Sequence, residues 1–123
     1  MSTRCNIHFV DSFLEDGDAP INAYRHSDGY PDGKHGVLAS LETFFQAVED
    51  QCDGDTRFNC AEYLAAKFIV WQASRFAHNP EKPLAFLSLG VAAQDHGDIE
   101  FVYTVDCGKL DAKGRPTVTW EAV

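Results

Sequence analysis

The stretch from Phe58 to Ala77 limits what this chain can fold into more than any other. Its pattern is helical, yet Leu64, Ala65, Phe68, Ile69, Val70 and Phe76 spread around most of the circumference at about 100° per residue. The main polar stripe holds Lys67, Ser74, Arg75 and His78, and shares its side with Tyr63 and Trp71. A helix with so little polar surface must be buried, and the usual cover is a sheet. Its start is marked by Asn59 as N-cap, Glu62 as the capping-box partner, and Phe58 with Tyr63 as a hydrophobic staple. It stops before Asn79-Pro80, because the residue preceding proline avoids helical angles. Trp71 is either covered by the other helix or a loop, or partly exposed at an interface.

The sheet has to come from the flanking segments. Residues 5–10, Cys-Asn-Ile-His-Phe-Val, alternate as a strand, and Ile21 to His26 form a second strand paired with it. Ser27 to Gly36, with three glycines and a proline in ten positions, is too rich in breakers for a regular element. A helix follows over Val37 to Gln51, with Leu38, Leu41, Phe45 and Val48 on one stripe, and Cys52-Asp53-Gly54 ends it. Leu87 to Gln94, Ile99 to Asp106 and Thr117 to Ala122 read as a meander. Its first turn is Asp95-His96-Gly97-Asp98, with Gly97 at positive φ, and a second turn spans Lys109 to Gly114. Pro116 places the last strand at an edge. The expected fold class is α+β, in the order β-β-α-α-β-β-β. About five mainly antiparallel strands form one layer, with both helices on one face. Residues 1–123 make a single domain without repeats or linkers.

Composition excludes several classes. With 45% apolar and 24% charged residues the chain is an ordinary globular sequence, and no window reaches the roughly 18 apolar residues a membrane helix needs. The opening residues lack the apolar stretch of a secretory signal, so a cytoplasmic protein with reduced thiols is expected. Among the four cysteines (5, 52, 60 and 107) no C-x-x-C occurs, and Cys5 and Cys107 read as small hydrophobes within strands. A net charge of -9 opposes direct nucleic-acid binding. Acids gather at Asp11, Glu15, Asp16 and Asp18, and again at Glu49, Asp50, Asp53 and Asp55. They are either solvated loops or an acidic face that docks on a basic partner or imitates DNA.

Chemistry concentrates in residues 24–35, Tyr-Arg-His-Ser-Asp-Gly-Tyr-Pro-Asp-Gly-Lys-His, which leave a strand, cross a loop and enter a helix. Four readings fit. The start of the helix with Arg25, His26, Lys34 and His35 suits a phosphate or carboxylate, although the spacing is neither a P-loop nor a dinucleotide fingerprint. His26, Asp28, Asp32 and His35 offer metal-ligand atoms without an established spacing. His26 against Asp28 or Asp32 suits acid–base work. Finally, Asp-Gly and Pro-Asp-Gly are simply good turns. His8 faces away from Ile7 and Phe9 and reads as hydrogen-bonded or solvated, while His96 and His78 sit in a turn and near a helix end. Glu100 and Asp106 do not form a carboxylate pair.

Thr3-Arg4-Cys5-Asn6-Ile7, followed by Tyr24-Arg25-His26-x-Asp28-Gly29-Tyr30-Pro31, resembles a family of short uncharacterised phage and bacterial proteins. Members start Thr-Arg-Ser/Cys-Asn-Ile and carry a Tyr-Arg-His-x-Asp-Gly-Tyr-Pro block. The resemblance covers about the first thirty residues and implies a small accessory protein of phage or mobile-element origin, with no catalytic role transferred. The resulting expectation is a non-enzymatic binding protein. Its ligand residues would be Arg25, His26, Asp28, Tyr30, Lys34 and His35, and they would contact a small anionic ligand or a protein partner, with interference in a host process as the use the resemblance suggests. No catalytic residue, metal or cofactor is assigned. A hydrolase using His26, Asp28 and His35 is the alternative, and an acidic DNA mimic a further one. Trp71 and the final edge strand are the surfaces a homodimer would use.

Overall fold

The computed structural model describes residues 3–15, 18, 20–76, 81–82, 84 and 88–123. Five strands and two helices follow in chain order: β1 (Cys5–Val10), β2 (Ile21–Arg25), α1 (Val37–Gln51), α2 (Ala61–Phe76), β3 (Leu89–Ala92), β4 (Phe101–Leu110) and β5 (Pro116–Ala122). The fold is α+β, with a sheet ordered β3-β2-β1-β4-β5 and the helices packed against it. All neighbouring strands are antiparallel except β1 and β4, which run parallel with Cys5 opposite Phe101 and Phe9 opposite Val105. The expected Leu87 start of β3, the Asn79-Pro80 stop and His78 lie outside the described residues.

The last three strands are not a meander. β3 pairs with β2 at one edge, Tyr24 opposite Gly90, whereas β4 lies on the far side of β1. The link between them therefore crosses β2 and β1 instead of turning tightly, and Gly97 is not at positive φ. This crossing lies on the β1 and β2 part of the sheet face opposite the helices. Its residues are bonded to Asn6, His8 and Asn22, which alternate with the helix-facing Cys5, Ile7, Phe9 and Ala23.

The core forms between the other face and the two helices. Ile7, Phe9, Tyr103 and Val105 from the central strands meet Leu41, Phe44 and Phe45 of α1, and Leu64 and Phe68 of α2. Phe68 is its centre, 5.7 Å from the ring of Phe9 and edge-on to Phe44 at 5.3 Å. Burying each such side chain contributes about 1.5–3 kcal/mol. The helix that demanded a sheet lies on β1 and β2, but Val70 is 69% exposed and Trp71 is only partly buried, against Phe44.

The start of α2 differs from the sequence expectation. The helix begins at Ala61, and the group that caps it is Asp11, whose Oδ2 accepts from the Ala61 N–H at 2.7 Å. Asn59 does not cap it, and the staple does not form: Phe58 is buried on Phe45, while Tyr63 is 54% exposed beneath the Arg57 guanidinium. A carboxylate held at the end of a strand supplies both hydrogen bond and charge to the helix N-terminus, so the local cap is not needed.

Candidate functional site

The loop from Arg25 to Gly36 is fastened from inside. Arg25 is 4% exposed and turns towards the helices: Nε donates to the Ser27 carbonyl (3.0 Å), Nη1 to Ser40 Oγ (3.2 Å) and Nη2 to the His35 carbonyl (3.1 Å). Its guanidinium spans the loop and bolts both ends to α1. Burial works against its charge and lowers its pKa. Alternation along β2 puts Arg25 on the core face, where it holds the loop from within.

Asp28 and Tyr30 are also engaged within the loop. The Tyr30 hydroxyl donates to Asp28 Oδ1 at 3.1 Å, which raises the phenol pKa, and Asp28 stands at φ 54°. Next to it Gly29 donates to the Thr3 carbonyl and accepts from the buried Tyr103 hydroxyl at 2.6 Å. A Cβ on Gly29 would lie 2.9 Å from Thr3 O, so only glycine permits this approach.

His26 points to the opposite side of the sheet. Its Nδ1 accepts from the Tyr24 hydroxyl at 2.9 Å and from Arg4 Nε at 3.3 Å. Arg4 also reaches Asp98 (3.4 Å), and the Tyr24 ring stacks on His96 with centroids 3.8 Å apart. Further along this face, His8 Nε2 meets Asp95 Oδ1 at 2.6 Å, and Asn22 donates to the same oxygen. Burial alone would raise the Asp95 pKa, but the hydrogen bonds from His8 and Asn22 outweigh it and leave it lowered. The sequence reading of His8 as hydrogen-bonded holds, but its partner lies 87 residues away. This polar seam fastens the crossing segment to the sheet.

Lys34 and His35 remain, and they face a hollow of about 300 Å³ with Ala39, Ser40, Thr43 and Arg75. None of these six lining residues is a carboxylate, and the first turn of α1 carries no acid. Of the four N–H groups that open the helix, Gly36 donates to Gly33 O, Val37 to Tyr30 O and Leu38 to Pro31 O. The remaining one belongs to Ala39, in the hollow wall. Arg75 is not among the residues expected from the sequence. Its place on the polar stripe of α2 was legible, but not that the end of α2 lies beside the start of α1.

The six expected ligand residues therefore do not form one site: Lys34 and His35 share the hollow, Arg25, Asp28 and Tyr30 hold the loop, and His26 joins the far face. For the same reason His26, Asp28 and His35 do not converge as an acid–base set. Among the described residues, no group of three or more His, Cys, Asp or Glu side chains is placed to hold a metal ion. Several clustered acids have structural tasks: Asp11 caps α2, Glu49 meets Arg115 at 2.7 Å, and Asp55 meets Arg57 at 3.1 Å. Asp16 lies outside the described residues. No described helix is long and apolar enough to cross a membrane. No protein-family model, curated protein sequence or solved structure matches this chain.

Proposed function

We propose that this protein binds a small anionic ligand, a phosphate or carboxylate, in the hollow at the start of α1. One observation carries the reading. In a chain of net charge -9, Lys34, His35 and Arg75 line the same cavity with Ala39, Ser40 and Thr43, and none of these described lining residues is an acid. Cationic donors and the positive end of a helix attract an anion additively. The role is binding, because the residues that would perform acid–base chemistry stand on different faces.

NMR titration with inorganic phosphate tests this. Amides of residues 34–43 and 75 should shift together and saturate. Lys34→Ala combined with Arg75→Ala, both at exposed positions, should weaken binding about tenfold or more while the protein stays folded, its melting temperature falling by no more than a few degrees for the lost Arg75–Trp71 contact. Shifts scattered over the surface, or binding indifferent to the double substitution, would refute the proposal.

A further inference from the structure

We infer that the ligand is amphipathic: a phosphate-type anion that carries a flat apolar body. This deepens the anion-binding reading and rests on it. A second hollow, of about 320 Å³, lies between α1 and α2 and is lined chiefly by Phe44, Ala47, Val48, Val70 and Trp71. It adjoins the basic hollow. Thr43 lines one and Phe44 the other, and the same holds for Arg75 and Ser74. A direct contact joins them: the Arg75 guanidinium lies over the Trp71 ring, 5.3 Å from its centroid.

The seam between the helices is therefore basic at one end and apolar beyond it. Trp71 and Val70 leave apolar surface open to water, and the indole of Trp71, backed from the core side by the buried Phe44 ring, is a flat aromatic surface that suits a flat ring. At the opposite end a single cation, Lys67, lines the hollow and its Nζ donates to the Thr56 carbonyl at 3.1 Å, against three basic side chains at the near end. The charge pattern fixes the orientation: head group against Lys34, His35 and Arg75, body along Trp71 and Val70. Arg75 serves both parts, as it can donate to an anion while lying on the indole.

The test compares inorganic phosphate, phenyl phosphate, 2-naphthyl phosphate and uncharged 2-naphthol by NMR titration of the full chain. Affinity should rise through the three phosphates by about tenfold or more in total, and 2-naphthol should bind more weakly than 2-naphthyl phosphate. Ala47→Gln with Val70→Gln, at positions outside the core cluster, should remove the gain from the ring while leaving inorganic phosphate within about twofold. Lys34→Ala with Arg75→Ala should weaken all three phosphates. Equal affinity for the three phosphates overturns this inference and spares the anion reading, whereas no binding by any of them removes both. A dimer in native mass spectrometry that dissociates with the Gln pair would assign the apolar hollow to a second copy, which also overturns the inference.

Discussion

Replacing Arg25 separates a structural bolt from a ligand contact. In the folded chain its guanidinium makes three hydrogen bonds across the loop and to α1 while only 4% exposed. Arg25→Ala removes all three donors and leaves the carbonyls of Ser27 and His35 to find other partners in a largely closed space. A hydrogen bond to a charged group contributes about 1.5–3 kcal/mol, and an orphaned buried acceptor costs about 1–3 kcal/mol. Because the three bonds act as one unit they do not sum, and the expected loss is about 3–5 kcal/mol. For a domain of this size that corresponds to a fall of roughly 10–20 °C in melting temperature. Urea and thermal unfolding followed by circular dichroism measure it. Arg25→Lys should recover little, since an ammonium on a flexible stem cannot span the three acceptors. His26→Ala, at an exposed position, should stay within about 0.5 kcal/mol of the parent. If Arg25→Ala melts with the parent protein, or His26→Ala falls as far as Arg25→Ala, the assignment of roles within this loop is wrong.

Three further outcomes follow from the geometry. Asp11→Ala should cost about 1–2 kcal/mol in urea unfolding through loss of the α2 cap, with Asp11→Asn intermediate because it keeps an acceptor but not the charge. Asp95 has a lowered folded pKa, so the stability it provides is complete above the usual carboxylate value of about 4 and disappears as pH falls through the lower folded value. Urea unfolding of parent and Asp95→Asn should therefore differ at pH 7 and converge in acid, and a gap that is constant with pH would contradict this. Burial pushes the thiols of Cys5 and Cys107 up to about 12, so in the native protein a disulfide reagent should label Cys52 and Cys60 and spare these two until denaturant is added.

Most elements could be read locally. Alternation at 5–10 and a helical stripe at 37–51 report which side chains must be hidden and with what period, and those are properties of consecutive residues. The breaker-rich run at 27–36 was equally plain. What failed were statements about partners. Asn59 looked like a cap because the motif around it is local, while the acceptor in use is fifty residues away. The meander does not form, because adjacency in sequence is not adjacency in this sheet: β4 joins the free edge of β1, where its apolar face reaches the same core.

The functional loop divides along the same line. Its composition announced basic groups near a helix start, and Lys34 and His35 stand there. Whether Arg25 faced a ligand or the interior depended on Ser40, a turn into α1, and Arg75 entered only because two antiparallel helices bring the end of one beside the beginning of the other. The order of residues thus determined the elements, their buried faces and the acidic balance. Tertiary structure decided strand order, caps and the company each charged group keeps. The physical reason is that period and propensity act over a few neighbouring residues, whereas a hydrogen bond or a cavity wall is made by whatever the finished chain brings within a few ångströms.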